Sequence, residues 1–431
     1  MIKKIKNIFL FTIFLSFFSS INSQNIDTSM TIKSNPLNGS YWFLEQNNSG
    51  KSIIKNDLEL EIKYKRARTQ FHFNISNSFK DIHYLLSDNF KVLDIKTGKT
   101  IYFGEAYLKH NFSDNFYLKV GKYYRDFSNY LDDSLSSGSM LISKNAQAMP
   151  KIGIVGSNNI NNKIGFNYGL AHGTFGRNEF YNESPLLHEK FLYLNIRKNT
   201  SQFSIGFVHE AVWAGSTIER GKQPSSLNDF LRVFISADRK LDDYGDNIPD
   251  THLNALGNHL GIWDFSYQKK YDKKLMKLYY QHIFDDTSGL RFANQTDGLW
   301  GAELRNYIPN NTTVLEFINT SNYDIDPPYV FDRYYYHHTY KLGWSYKNLA
   351  LGNPFINHLN FSPTKVLYFA SKGKYRSYKY DIKMYKKIDI SDTVSIRISL
   401  KKLLSKKLSF GTFIVNNSDN SAIGFSLSYI F

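Results

Sequence analysis

The segment YYQHIFDDTSGLRFANQTDGLWG, residues 279–301, contains several side chains of the types that take part in catalysis. His282 lies close in sequence to Asp285 and Asp286, and a histidine with a carboxylate pair suits general acid–base hydrolysis. Asp132 and Asp133 would supply a second pair. A general base must meet its water in space, and the linear spacing does not show such convergence. A hydrolase is therefore one hypothesis for this chain, and not the favoured one.

The same segment contains the side chains that bind sugars. Aromatic rings stack on the apolar faces of sugar rings, while carboxylates, amides and arginine bind their hydroxyl and acidic groups. The members of this set are Tyr279, Gln281, Asp285, Arg291, Asn294, Asp297 and Trp300. A purely structural interpretation stays open, because the aromatics also suit a membrane interface and the glycines also suit turns.

Other motifs that bear on metal or enzyme chemistry are incomplete. HEKFL at His188 and HEAVW at His209 resemble the start of a zinc-protease helix, but Leu192 and Trp213 stand where the second histidine is needed. DDYGDNIPD, Asp242–Asp250, hints at calcium, although a solvated acidic loop is favoured because the EF-hand spacing is absent. No serine nucleophile elbow, P-loop or dinucleotide fingerprint occurs. The sequence predicts no enzyme activity, no cofactor and no metal.

The N-terminus predicts export. MIKKIKNIFLFTIFLSFFSSINSQN has basic, apolar and then small polar residues in turn, which is typical of a signal peptide at residues 1–23. The absence of cysteine excludes disulfides, thiolate metal sites and cysteine nucleophiles. The net charge of +15 is interpreted mainly as solvated lysines, and no binding of nucleic acid is expected of an exported chain.

An alternation with a period of two recurs along the chain. AIGFSLSYIF, at the C-terminus, places Ile423, Phe425, Leu427, Tyr429 and Phe431 on one face and small or polar residues on the other. YKYDIKMY and TVSIRISL alternate in the same way, and their charged residues need a wet face. With 16% aromatic residues, this pattern favours an outer-membrane β-barrel with a polar lumen.

The mature chain is predicted to form one domain of all-β class with minor helical insertions. We expect an N-terminal segment at 24–56 and a transmembrane barrel at 57–431, with room for about 16 to 18 antiparallel strands. Long insertions near 130–152 and 210–261 interrupt the strand pattern and would be surface loops, lumen plugs or periplasmic helices. The second has helical spacing at Leu227, Phe230, Leu231 and Phe234, after Ser225 and Ser226 as possible N-caps.

Several stretches, in order along the chain, resemble the capsule assembly protein family Wzi. They are YWFLEQNNSG (41–50), SSGSMLISKNAQAMPKI (136–152), ALGNHLGIWDFSYQ (255–268) leading into YYQHIFDDTSGLRF, and YYYHHTYKLGWSYKNLALGNPF (334–355). The resemblance implies a barrel of about 18 strands that acts as a lectin for capsular polysaccharide, without catalysis. HIFDD stands where an acidic run is expected in the family, so no particular sugar contact carries over there.

The favoured hypothesis is a non-enzymatic outer-membrane barrel that binds a capsular or other surface polysaccharide and helps to attach or assemble it. The predicted sugar contacts are Asn145, Gln147, Trp213, Gln281, Asp285, Asp286, Arg291 and Trp300. The other expected partners are outer-membrane lipid and the barrel assembly machinery, which reads a terminal strand that ends on an aromatic residue. A porin or substrate-specific channel is the alternative, because polar lumen faces also suit a pore.

Overall fold

A computed structural model of the chain describes residues 26–34, 56–86, 92–125, 133–237, 255–327, 329–360, 362–388, 394–416 and 421–430. The predicted signal peptide, the stretch YWFLEQNNSG and the possible calcium loop Asp242–Asp250 lie outside these residues.

Among the described residues, 18 antiparallel strands form one closed sheet. They are β1 (Ile26–Ser34), β2 (Asn56–Arg66), β3 (Thr69–Leu86), β4 (Val92–Ser113), β5 (Phe116–Tyr123), β6 (Met149–Asn159), β7 (Ile164–Thr174), β9 (Leu186–Lys198), β10 (Ser201–Trp213), β13 (Asn258–Tyr271), β14 (Lys274–Phe284), β15 (Gly298–Arg305), β16 (Asn311–Asn319), β19 (Lys365–Tyr375), β20 (Tyr378–Lys387), β21 (Ser395–Leu403), β22 (Leu408–Asn416) and β23 (Ser421–Ile430). Short strands in the loops are β8 (Tyr181–Glu183), β11 (Ser216–Thr217), β12 (Gly221–Lys222), β17 (Ser345–Tyr346) and β18 (Leu349–Ala350).

Each wall strand pairs with the next one along the chain, and the last strand closes the barrel on the first. Met30 of β1 lies opposite Tyr429 of β23, and Ile32 lies opposite Leu427. The barrel predicted from the period of two is thereby confirmed. The predicted start of the barrel at residue 57 is too late, because β1 lies inside the segment 24–56 and pairs on both of its edges.

The two ends of the barrel differ in the length of their connections. Two-residue turns, such as those between β2 and β3 and between β9 and β10, occupy one end. Connections of 124–148, 214–257, 285–297 and 320–364 occupy the other, which we call the loop end. In bacterial outer-membrane barrels the short turns face the periplasm and the long loops face outward.

Side chains on the wall alternate between its two faces as predicted. On β23, Ile423, Phe425 and Leu427 are 42–43% exposed on the outer face, while Gly424 is buried on the inner face. On β20, Lys383 is buried on the inner face. The wall therefore presents apolar side chains outward and polar ones inward, because a strand sends successive side chains to opposite sides.

Two helices lie in the described loops: α1 (Leu227–Phe234) and α2 (Thr287–Leu290). The predicted cap of α1 is confirmed, since the Ser226 side chain accepts a hydrogen bond from the Asp229 N–H. Neither helix is long and apolar enough to cross a membrane. The strands run further into the predicted insertions than expected, because β10 ends at Trp213, β13 begins at Asn258 and β6 begins at Met149.

Candidate functional site

Residues 134–148 and 334–356 fold into the barrel and form what we call the lumen plug. Glu316, on the inner face of β16, holds the first of these segments. Its carboxylate accepts hydrogen bonds from the Ser136 hydroxyl (2.7 Å), the Ser137 N–H (2.6 Å) and the hydroxyl of Tyr279 on β14 (2.5 Å). A carboxylate that is 4% exposed needs such donors, because an unpaired buried charge is costly. Glu316 thus fixes the plug to the wall.

Other inward-facing side chains continue this attachment around the wall. The Gln281 side-chain oxygen accepts from the Met140 N–H at 3.0 Å, and the Tyr368 hydroxyl donates to the Leu135 carbonyl at 2.7 Å. The Lys383 ammonium donates to the Ser134 carbonyl at 2.6 Å. These contacts come from β14, β19 and β20, so several strands hold the same plug segment.

The second plug segment packs on the first through buried polar groups. The Asn353 amide donates to the Gly138 carbonyl at 2.8 Å, and the Trp344 indole N–H donates to the Leu141 carbonyl at 2.6 Å. The Tyr335 hydroxyl donates to the Met140 carbonyl at 2.5 Å. The plug therefore has its own internal hydrogen-bond network and does not depend on the wall alone.

Apolar packing closes the space between plug and wall. One buried cluster contains plug residues Met140 and Trp344 together with Val208 of β10, Ile262 of β13 and Val366 of β19. All five side chains are at most 1% exposed. The plug and these wall strands thus share one hydrophobic core.

A cleft lies at the loop end, where the connection 285–297 meets the connection 320–364 and the end of the wall. We call it the loop-end cleft. It has a volume of about 600 Å³. Its polar lining includes Asp285, Asp286, Ser288, Asp332, Arg333, Tyr336, His337, His338, His209 and His259. Volume and lining are within the range of ligand pockets.

The carboxylates of this cleft are shifted toward the protonated form. Burial, with repulsion from Asp286 and Asp324, raises the pKa of Asp285 to about 8. Burial, with repulsion from Asp285 and Asp324, raises the pKa of Asp332 to about 9. Oδ1 of Asp285 and Oδ2 of Asp332 are buried and have no hydrogen-bond partner among the described residues. These two carboxyl groups can therefore both donate and accept hydrogen bonds near neutral pH.

Aromatic and basic groups face the same cleft. The Arg333 guanidinium lies 5.8 Å from the centre of the Tyr336 ring, and the rings of His337 and His338 stack at 4.5 Å. Flat rings beside carboxyl and guanidinium groups suit a ligand that has both apolar faces and hydroxyl or acidic groups. No group of three or more histidine, aspartate or glutamate side chains in the described parts of the chain has the geometry to hold a metal ion.

The predicted contacts Asn145, Gln147 and Gln281 lie inside the barrel. Each is at most 2% exposed. The Asn145 amide donates to the Ala350 carbonyl within the plug at 2.8 Å, and the Gln281 amide bonds Met140 and Asp264. A polymer on the cell surface cannot reach side chains at this depth, so their burial does not favour the predicted contact. Asn145 and Gln281 thus help to position the plug.

The predicted contacts Trp213 and Trp300 lie on the outer face of the wall. Trp300 is 41% exposed and stacks on Tyr280 at 3.8 Å, in the manner of an interfacial aromatic residue. Trp213, at the loop end of β10, packs beneath Phe230 of α1 at 5.6 Å. The structure therefore separates both tryptophans from Gln281 by the thickness of the wall.

The predicted contacts Asp285, Asp286 and Arg291 lie together in the connection 285–297. Asp286 is the N-cap of α2 and accepts from the N–H groups of Ser288 (2.8 Å) and Gly289 (3.0 Å). The Arg291 guanidinium is exposed and forms an ion pair with Asp326 at 3.2 Å. Of the predicted contacts, Asp285 and Asp286 line the loop-end cleft. Whether any of them touches a sugar stays a prediction.

The histidines that suggested catalysis have other neighbours. His282 contacts the Gly289 carbonyl through Nε2 (2.8 Å) and the Tyr280 hydroxyl through Nδ1 (2.9 Å), so both ring nitrogens are already bonded. His188 and His209 point outward from β9 and β10 and lie close to α1 or to the residues that follow it. Of these three histidines, His209 lines the loop-end cleft with Asp285 and Asp286, but its Nε2 already contacts the Ser236 hydroxyl (3.0 Å) and His259 Nδ1 (2.9 Å).

The sequence did not point to Glu316, Asn353 or Asp332. The sequence did contain an indication for Glu316. In TVLEFIN, Glu316 shares one strand face with Val314 and Ile318. A charged residue between two inward-facing apolar residues needs a buried partner. Asn353 lies in the Gly-Asn-Pro stretch of the quoted motif. Asp332 has no sequence signal, since its surroundings come from three separate connections.

Fold and site together define a β-barrel of the outer-membrane type with a filled lumen and a polar cleft at its loop end. A family model described as Capsule assembly protein Wzi matches residues 44–359. The chain belongs to this family, as its ordered motifs predicted. A search of curated proteins found no match.

Solved structures of porins are similar in fold only. A multiple mutant of the Rhodopseudomonas blastica porin has 6% identity, with 94% of this chain and 99% of that chain covered and a TM-score of 0.38. OmpT, an outer membrane protein of Vibrio cholerae, has 9% identity, with 94% and 96% covered and a TM-score of 0.31.

Proposed function

We propose that this chain binds a capsular or other extracellular polysaccharide at the loop-end cleft and helps to attach or assemble it at the cell surface. The observation that carries the proposal is the polar cleft of about 600 Å³ at the end of a filled barrel, which Asp285, Asp332 and Tyr336 line together. Membership of the capsule assembly family supports the choice of a surface polysaccharide as the ligand.

The chemistry of the cleft suits hydroxyl-rich ligands. A protonated Asp285 or Asp332 donates to a sugar oxygen and accepts from a neighbouring hydroxyl, which a fully ionised carboxylate cannot do. Tyr336 offers a flat face to a sugar ring, and Arg333 offers donors to an acidic substituent. A polymer repeats its units and meets many copies of the barrel, so weak single sites still hold it firmly.

The lumen plug argues against the alternative of a porin. A pore needs a continuous wet path, whereas Glu316, Gln281 and Tyr368 bind the plug from the inner face of the wall. The hydrolase hypothesis is not favoured either, because Asp286 is engaged in capping α2 and both ring nitrogens of His282 are bonded. We therefore propose a binding function without catalysis.

The test is retention of the full-length protein, in detergent, on immobilised polysaccharide prepared from its own cell. Tyr336→Ala and Asp332→Ala are expected to reduce retention by about tenfold each, since each removes a contact of about 1.4 kcal/mol. Trp300→Ala is the matched control: it removes an aromatic of the outer face and should retain polymer like the unchanged protein. No retention by the unchanged protein, or equal loss in the Trp300→Ala control, would refute the proposed cleft.

A further inference from the structure

Helix α1 lies on the outside of the barrel wall. On β9, Leu192 and Ile196 are outward and about half exposed, so the alternation places His188 and Lys190 on the same outer face. The helix covers that face, because the Phe234 ring lies 5.2 Å from the His188 ring. The Lys190 ammonium also donates to the Phe234 carbonyl. Helix α1 thus lies against the outside of the wall and not in the lumen.

The strand beneath α1 is too polar to face lipid over the full depth of a membrane. Phe203, Ile205 and Phe207 point outward on β10, but His209 follows them. A strand tilted by about 40° gains roughly 2.5 Å of depth per residue, so Phe203 to Phe207 spans about 10 Å of an apolar band about 25 Å tall. The rest of the apolar band extends along β10 from Phe207 to the level of Trp213.

In this part of the wall, histidines lie on the outer face. On the outer face, His172 of β7 lies opposite His188 of β9, and both His188 and His259 of β13 lie opposite Ala211 of β10. His209 of β10 lies on the same face, two residues before Ala211. Phe230 packs on His172 (5.0 Å) and on His188 (5.6 Å). Without α1 these rings would meet the surrounding medium directly. With α1, the rings of His172 and His188 are covered by Phe230, and that of His188 also by Phe234.

The helix has a second apolar face that points away from the wall. Val233 is fully buried against the barrel, whereas Leu227, Leu231 and Ile235 are 77, 55 and 72% exposed. These three residues are spaced by four and so form one stripe along the helix. No described residue covers this stripe. A cluster of exposed large apolar side chains marks a surface that is covered in the working protein.

We propose that α1 lies in the headgroup and acyl-chain boundary of the outer leaflet, and that Leu227, Leu231 and Ile235 complete the lipid-facing band of the barrel above β9 and β10. The stripe continues the band formed by Leu192 and Phe207, an interface with lipid that the barrel fold already requires. Asn228 is exposed on the remaining edge of the helix, which suits a surface helix with one wet side. The Arg232 guanidinium instead pairs with Asp229 at 3.5 Å and is mostly buried.

The helix is preformed for this role. An isolated helix of eight residues is marginal in water. Here Ser226 and Asp229 form a reciprocal capping box at its start, with bonds of 3.2 Å and 2.8 Å. The buried Val233 and the contact of Phe230 with Trp213 fix it to the wall. Membrane contact therefore requires no folding step, only the presence of lipid beside the barrel.

The absence of cysteine allows a direct test with single-cysteine variants of the full-length protein. Leu231→Cys reports on the stripe, Leu192→Cys on the wall, and Asn228→Cys is the matched control on the wet edge of the same helix. Each carries an environment-sensitive fluorophore and is reconstituted in vesicles of phosphatidylcholine with a minor share of phosphatidylglycerol. Quenching is measured with lipids that carry a nitroxide near the headgroup and with aqueous iodide. Folding of each variant is checked by its gel mobility without heating.

Lipid-borne quenching at Leu231 is expected to be within about twofold of that at Leu192 and severalfold above that at Asn228, whereas iodide should show the reverse order. Equal lipid quenching at Leu231 and Asn228 would overturn the proposal. Protection of Leu231 from both quenchers, with cross-linking of two copies through that cysteine, would assign the stripe to a protein interface and would also overturn it. If Leu231→Cys fails to fold, Ile235→Cys measures the same stripe.

Discussion

Replacement of Glu316 by leucine is expected to open the barrel. Leucine has a similar volume, so packing changes little, but the Ser136 hydroxyl, the Ser137 N–H and the Tyr279 hydroxyl lose their acceptor. A buried donor left unpaired costs about 1–3 kcal/mol. If the structure relaxes partly around the three donors, their loss costs about 4 kcal/mol in total. This shifts the equilibrium between attached and detached plug roughly a thousandfold toward the detached state.

Conductance across a planar bilayer measures this shift directly. The unchanged protein is expected to stay closed, because several strands hold the plug through Gln281, Tyr368 and Lys383 as well as Glu316. The Glu316→Leu variant should show frequent open events and a lower temperature of plug release, since one major attachment is lost. Leu315→Ala is the matched control, as its side chain is on the same strand but faces outward and is 50% exposed.

Two results would refute this reasoning. Steady conductance of the unchanged protein would mean that the plug does not close the lumen, and the channel hypothesis would gain. Identical closure of Glu316→Leu and Leu315→Ala would mean that the three hydrogen bonds at Glu316 do not hold the plug.

Three further predictions concern the plug and the cleft. In Gly352→Ala the added methyl carbon would lie 2.0 Å from the Tyr335 hydroxyl oxygen, so we expect a loss of about 2–4 kcal/mol, seen as a lower melting temperature by circular dichroism. Because the pKa of Asp332 is raised to about 9 in the folded protein, the folded cleft keeps a proton that the unfolded chain loses near pH 4. The free energy of unfolding of the cleft should therefore fall as pH rises between those two values. Hydrogen exchange in residues 329–338, measured against pH, should show this dependence, and Asp332→Asn should flatten it. Arg291→Ala should change stability by less than about 1 kcal/mol in a denaturant titration, because its ion pair with Asp326 is exposed to solvent.

The period of two predicted the wall strands correctly, because successive side chains of each strand face lipid and lumen in turn. Ile423, Phe425 and Leu427 lie on the outer face as their spacing indicates. The same rule already separates Gln281 from Trp300: Trp300 lies opposite Tyr280 in the register of β14 and β15, one residue out of step with Gln281. Applied to this pair, the pattern would have shown that they cannot share one ligand.

The plug and the position of α1 were beyond such reasoning. The spacing of Leu227, Phe230 and Phe234 predicts a helix, but both of its faces are apolar, so the sequence does not indicate which face meets the wall. The partners of Ser137 are Glu316 and Asn353, which lie in other connections and strands. Contacts between distant segments have no periodic signature, and only the folded barrel brings them together.

The attachment of the plug also bears on how the molecule is made. Wall strands pair with their neighbours along the chain, whereas the bonds from Ser136 to Glu316 and from Asn353 to Ser137 join residues 180 and 216 positions apart. Contacts between such distant residues form late, because chain entropy must be lost before they contribute. The seam between β1 and β23 joins residues still farther apart, such as Thr31 and Ser428 at 397 positions. By the same reasoning the wall closes last, around a plug that is already bonded to Glu316.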